Sequence, residues 1–225
     1  MNKKNNLIFL VRHGESVSNA IIHNQLFVSS KARKQALNAH GNPELTTIGH
    51  QQATETAKEL YEKVKDYKGV LIYVSPLTRT NQTAHAFVKL CEDKKFVHHV
   101  SYDPSLQEYT TPAKNITGIK TCLGGKLLVD KTWSLFTERV INNVPSMREQ
   151  QDLPIVIFGH SQYFSVLLSY IASGEEHRVP DKQKIAHHLP NCAISAISYH
   201  YDHWRIYYSN SVTHLPLSLQ TGTHL

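Results

Sequence analysis

Cysteine is scarce in this chain of 225 residues: there are three, Cys91, Cys122 and Cys192, far apart from one another. An odd, widely spaced set argues against a disulfide framework and against a zinc site. A long hydrophobic run is missing from the amino-terminal region. The basic start Met1-Asn2-Lys3-Lys4 is followed by only five apolar residues before Arg12, too few for a secretory signal or a membrane span. No basic block is interleaved with aromatics. The net charge of +6 comes from 24 Lys+Arg against 18 Asp+Glu. Around residues 58–68 the lysines alternate with Glu55, Glu59, Glu62 and Asp66, as on a solvated helix face. The expectation is a soluble, cytoplasmic protein in a reducing compartment, with neither nucleic acid nor membrane as partner. The histidines are many, 15 in all. The adjacent pairs His98-His99 and His187-His188 would point to opposite faces of a strand, so no metal site is expected.

What is present is an ordinary globular composition, 40% hydrophobic and 19% charged. The length suits one domain over 1–225 with excursions near 23–44 and 109–130. Apolar runs at 7–11, 70–74, 96–100 and 154–158 read as strands. Segments 190–197 and 204–208 read as a closing hairpin broken near Asp202-His203. Helical periodicity follows each main strand. Ala53, Ala57, Leu60, Tyr61 and Val64 share a face behind a cap at Thr46 or Thr47. A second helix runs through Gln82, Thr83, Ala86, Phe87 and Leu90, with Ser75 as cap and Pro76 in its first turn. A third covers 131–148, with Trp133, Phe136, Val140 and Val144 on one side, and a fourth 163–172, stopped by Gly174. The irregular stretch 110–130 has the length of a lid, and the tail after Asn210 reads mostly as coil. The order predicts an α/β three-layer sandwich, a mostly parallel central sheet flanked by helices.

Chemistry gathers where these strands stop. The first ends in Arg12-His13-Gly14-Glu15-Ser16, the second is followed by Arg79, and the fourth ends in Gly159-His160-Ser161. Open α/β sheets place ligands at the carboxyl ends of their strands. A fixed cation beside an imidazole suits an anionic substrate, Gly14 lets the backbone come close, and Ser16 can cap the next helix. On these residues alone, an arginine in a loop ion pair and a histidine packed against a helix end serve equally well.

The ordered set RHGES at 12–16, LTTIGHQQA at 45–53, SPLTRTNQTA at 75–84, LQE at 106–108 and FGHS at 158–161, with Asn191 and NSVTHL at 210–215, resembles the histidine phosphatase superfamily, the phosphoglycerate-mutase-like fold. The resemblance implies that His13 attacks phosphorus and carries the phosphoryl group. It implies that Arg12, Arg79 and His160 bind the phosphoryl oxygens with Asn19 as a further donor, and that Glu108 is general acid and then base. It implies no metal and no cofactor, a small phosphorylated substrate, and activity of the histidine acid phosphatase type. Val17-Ser18, Tyr109-Thr110-Thr111 and Gln162-Tyr163 depart from what the resemblance implies for mutases. A phosphatase is therefore expected over a cofactor-dependent phosphoglycerate mutase or a silent module that binds phosphorylated partners. A neutral His13 and a protonated Glu108 imply an acidic-to-neutral optimum.

Overall fold

The computed structural model describes residues 6–23, 41–108, 153–173, 189–200 and 203–222. The excursions expected at 23–44 and 109–130 lie largely outside these residues. So do the helix expected over 131–148, Cys122, Gly174 and the pair His187-His188.

The described elements are β1 (Asn6–Arg12), α1 (Val17–His23), α2 (Thr47–Val64), β2 (Val70–Val74), α3 (Thr78–Asp93), β3 (His98–Tyr102), β4 (Ile155–Gly159), α4 (Ser161–Ser173), β5 (Ile194–His200) and β6 (His203–Ser211). Short 3-10 turns lie at Pro104–Leu106 and Leu217–Leu219. The sheet has six strands in the order β3-β2-β4-β1-β5-β6. The first four are mutually parallel, β5 runs against β1, and β6 runs against β5.

Alternation along the central strands divides their side chains between two cores. Ile8, Leu10, Ile155, Ile157 and Ile197 pack with Tyr163, Phe164, Leu167 and Ile171 of α4. Phe9, Val11, Ile72, Val74, Val156 and Phe158 pack with Ala57, Leu60 and Val64 of α2 and with Ala84, Phe87 and Cys91 of α3. Helices therefore cover both faces, which is the expected three-layer α/β arrangement. The opposite face of α2 is wet, and its lysines pair with carboxylates one turn away (Lys58–Glu55 2.7 Å, Lys63–Glu59 2.9 Å). Such exposed pairs contribute about 0–1 kcal/mol.

Two sequence expectations shift. The third strand is His98–Tyr102 and not 96–100, because Lys95 adopts a left-handed φ of 52° and Phe96 donates back to the Cys91 carbonyl, closing the helix end first. His98 and His99 sit on this strand, His98 half-buried and His99 exposed. Ser75 does not cap α3. That helix starts at Thr78 behind Leu77, which offers no side-chain cap, and Asn42 Oδ1 accepts the Thr78 N–H at 2.9 Å instead. The segment after Asn210 is mostly coil as expected, past the last residue of β6 and apart from the turn at Leu217–Leu219, yet Leu215 within it is buried.

Candidate active site

Three strands stop at one level. Val11 is level with Phe158, and Phe158 with Val74. His13 and His160 each follow their level residue by two positions, and Ser75 follows Val74 directly. Backbone bonds carry the register into the loops: His13 N–H donates to Gly159 O and Ser75 N–H to Phe158 O, both at 3.1 Å. Segments distant in sequence converge because the ladder holds their strands in step.

Gly14 and Gly49 let the β1 loop lie directly on the start of α2. A Cβ on Gly14 would stand 2.6 Å from the Gly49 carbonyl oxygen, and one on Gly49 would stand 2.1 Å from the Glu15 carbonyl oxygen. With no side chains between them, Gln52 Oε1 accepts the Glu15 N–H at 2.7 Å and Thr83 Oγ1 accepts the Gly14 N–H at 3.0 Å. The Glu15 carboxylate is buried and takes the Thr46 hydroxyl at 2.8 Å. Ser16 caps α1 as expected, its Oγ accepting the Asn19 N–H at 3.3 Å.

His13 is buried, and its Nδ1 lies 2.7 Å from the Gly14 carbonyl oxygen. A carbonyl only accepts, so Nδ1 carries the proton and Nε2 keeps its lone pair. Arg79 Nε–H donates to that Nε2 at 3.1 Å. The His13 and His160 rings stand 5.3 Å apart, tilted by 61°. His160 Nδ1 lies 3.3 Å from Arg79 Nη2 and 3.7 Å from Glu108 Oε2. Its Nε2 meets the Ser75 hydroxyl at 2.9 Å and the Thr80 hydroxyl at 3.4 Å. Arg12 is buried and donates from Nη1 to the Leu189 carbonyl. Asn19 Oδ1 accepts from Asn191 Nδ2 at 3.0 Å. Every site residue expected from the sequence, Arg12, His13, Asn19, Arg79, Glu108 and His160, thus belongs to one connected cluster.

The electrostatics of this cluster favour an anion. Burial pulls the Arg12 guanidinium down to about 10 and lowers Arg79, and both stay charged near neutrality. Burial first, then the neighbouring Arg12, His160 and Arg79, hold the His13 imidazole well below its ordinary 6.5. Burial followed by Arg79 and Arg12 does the same to His160. Burial raises the Glu108 carboxyl above its usual 4.5, against the pull of Arg79, Arg12 and the Tyr163 and Gln162 backbone at the start of α4. Two fixed cations, two neutral imidazoles and one protonatable carboxyl make a site short of negative charge. Such a set can bind a tetrahedral dianion, attack it and donate a proton.

Sequence reasoning did not assign Ser75, Thr80, Thr83 or Thr221 to this neighbourhood. Ser75 carries a cap signal, Ser-Pro after a strand, that happens to serve His160. Nothing local in the tail marks Thr221. Among the described residues no group of three or more His, Cys, Asp or Glu is placed to hold a metal ion, and no helix is long and apolar enough to cross a membrane.

Residues 8–112 match the family model of the histidine phosphatase superfamily (branch 1), the same family that the ordered motifs resemble. Among solved structures, the chain is similar to the phosphoserine phosphatase of Entamoeba histolytica in complex with phosphoserine (17% identity, 93% of this chain and 99% of that one, TM-score 0.64). It is similar to the alpha-ribazole phosphatase of Shigella flexneri (18%, 91% and 96%, 0.58). It is also similar to a mycobacterial glucosyl-3-phosphoglycerate phosphatase complexed with VO3 (18%, 92% and 99%, 0.56). At these identities the likeness is one of fold. No curated protein matches the sequence.

Proposed function

We propose that the protein is a metal-independent phosphomonoesterase of the histidine acid phosphatase type, working through a phosphohistidine on His13. The observation that carries this is the imidazole of His13: its Nδ1–H is tied to the Gly14 carbonyl and its Nε2 lone pair faces Arg79, beside His160. A phosphoryl group in transfer spreads negative charge over its three equatorial oxygens, so preplaced cations and donors lower the barrier. Arg12, Arg79, His160 and Asn19 fill that role here, and arginine's planar fork suits phosphate better than a lysine point charge.

In the first step His13 Nε2 attacks phosphorus in line, the ester P–O bond breaks, and Glu108 gives its proton to the departing alkoxide. In the second, the Glu108 carboxylate takes a proton from water as that water attacks phosphorus. The N–P bond breaks, inorganic phosphate leaves, and both side chains return to their starting states. Splitting one displacement into two is the usual gain from a covalent intermediate. The similar structures named above are a phosphoserine phosphatase, an alpha-ribazole phosphatase and a glucosyl-3-phosphoglycerate phosphatase, which supports a small phosphomonoester as substrate. Sparse cysteine suits the cytoplasm as compartment.

The test is hydrolysis of an aryl phosphate by the wild type and by His13→Ala, with acid-labile phosphate sought on the protein during turnover. The variant is expected to lose on the order of 10⁴-fold or more in rate. Full activity in that variant would overturn the assignment. Isomerisation of 3-phosphoglycerate faster than phosphate release would replace hydrolysis by transfer.

A further inference from the structure

The amide groups behind the His13 loop form a connected relay whose direction is set by the main chain. Gln52 is fully buried on α2. Its Oε1 accepts the Glu15 N–H at 2.7 Å, so its amide nitrogen must face the other way. There it donates to Leu219 O at 2.6 Å and to Thr221 Oγ1 at 2.8 Å. Asn191, also fully buried, lies in the turn before β5. Its Nδ2 donates to the His13 carbonyl at 3.3 Å and to Asn19 Oδ1 at 3.0 Å, while its Oδ1 accepts the Thr221 hydroxyl at 3.4 Å. The Asn191 N–H donates to Thr221 O at 3.0 Å. Asn19 Oδ1 takes a second donor, the Ser16 N–H, at 3.3 Å.

Each of these three carboxamides is bonded to a main-chain group that cannot exchange its role. Glu15 N–H can only donate, His13 C=O can only accept, and Ser16 N–H can only donate. Rotating any one amide by half a turn would set donor against donor or acceptor against acceptor, and in a buried site an unmade hydrogen bond is costly. With both donors on its oxygen, the Asn19 side chain is left with its NH2 group on the side away from Ser16 and Asn191.

We propose that Asn191 is a positioning residue, backed by Thr221 and Gln52, that obliges Asn19 to offer amide donors, and never its carbonyl, to the oxyanion held at His13. This rests on the phosphoryl-binding reading of the site. It makes the 219–222 segment, far from the catalytic motifs in sequence, part of the anion's seat. Gly222 fits the same place: with φ +73°, a Cβ there would stand 2.6 Å from Asn191 Oδ1 and 3.1 Å from Arg12 Nη1.

The test uses orthovanadate and inorganic phosphate as probes, with dissociation constants measured by calorimetry, so no turnover is needed. Asn19→Ala and Asn191→Ala should each weaken vanadate binding about tenfold, the size of one hydrogen bond to a charged group. The double variant should stay within about twentyfold of wild type, short of the hundredfold that independent sites would show. Asn19→Asp, at a half-buried position, should bind worse than Asn19→Ala, because Asn191 would hold one carboxylate oxygen and leave the other against the anion. That last comparison can be read even if Asn191→Ala fails to fold, because it tests whether Asn19 faces the anion at all, while the double variant tests the coupling to Asn191. Additive losses in the double variant, or Asn19→Asp binding vanadate as well as Asn19→Ala, would overturn the inference. Wild type that binds phosphate but cleaves no ester would remove the proposed activity and leave this cycle readable. Wild type that binds neither probe would end both.

Discussion

The proposed nucleophile and the proposed acid of this site are held by very different parts of the molecule. His13 leaves β1, an inner strand paired on both sides, and its loop is bonded to β4, to α2, to α3 and to the turn before β5. Glu108 leaves β3, the edge strand at the opposite side of β2, after a 3-10 turn held by Asp103. The first group is placed by many redundant bonds to rigid elements; the second stands six residues beyond its strand and meets the site through His160 at 3.7 Å and through the Gln162 and Tyr163 backbone at the start of α4. The difference fits what each must do. A nucleophile and oxyanion donors need fixed geometry to within tenths of an ångström, whereas an acid must release a proton, receive one back and admit water in between.

The largest effect that separates these two sides comes from Glu108→Gln. Removing the acid should slow hydrolysis of an alkyl phosphate by on the order of 10²- to 10⁴-fold, the usual reach of general acid catalysis. An activated aryl phosphate, whose phenolate needs no proton to depart, should lose far less. A variant that slows both esters alike would mean that Glu108 acts on phosphate binding and not on the leaving group.

The pH profile sharpens the same contrast. His13 lies well below 6.5 when folded, so its neutral, attacking form persists into acid, and the rate falls only as pH drops through that lowered value. Glu108 lies above 4.5, so its proton persists upward, and the rate falls as pH rises through the raised value. The maximum of kcat/KM should sit on the acidic side of neutrality, and Glu108→Gln should erase the alkaline limb alone. Stability follows the histidines: the folded state disfavours His13⁺ and His160⁺, so stability is intact above pH 6.5 and declines as pH falls below it. An alkaline limb that survives in Glu108→Gln would reassign the acid.

A third test strikes the frame of the nucleophile and spares the acid. Gly49→Ala would bring a methyl to 2.1 Å from the Glu15 carbonyl oxygen, a clash with backbone that no side-chain rotation relieves. Overpacking of this kind typically costs ~1–3 kcal/mol, measurable as a lower midpoint in urea. The displaced loop should also raise KM for any phosphate ester. Unchanged stability would show that α2 can retreat from the loop at no cost.

The two sides were also unequally legible in the sequence. The apolar runs of β1, β2 and β4 end at the residues that carry chemistry, so Arg12, His13 and His160 stand out, and the helical spacing behind Thr46 is equally plain. The register that brings His13 and His160 together is invisible locally, because it depends on β1 and β4, nearly 150 residues apart, pairing in step. β3 was displaced by two residues because Phe96 and Val97 look like strand while Lys95 turns the chain in the left-handed region. The tail is coil, as its sequence suggests, but the contacts of Thr221 and Gly222 carry no local signal, because their importance lies in what they touch: Gln52, Asn191 and Arg12.

The smallest expected effect concerns Ser75, whose Ser-Pro context reads as a helix cap and whose hydroxyl in fact meets His160 Nε2 at 2.9 Å. A hydroxyl can donate or accept, so it supports His160 in either tautomer, with Nδ1 free to accept from Arg79 or to donate to a phosphoryl oxygen. Ser75→Ala removes that partner and leaves Thr80 at 3.4 Å, close enough to tighten. A neutral hydrogen bond contributes about 1 kcal/mol net, so kcat/KM should fall only about fivefold. Thr80→Val added to it should deepen the loss beyond the product of the two single effects, since His160 Nε2 would then face no hydroxyl. No loss in that pair would mean that the ring is held by packing alone, and the side of the site built on the inner strands would be less dependent on its hydrogen bonds than its geometry implies.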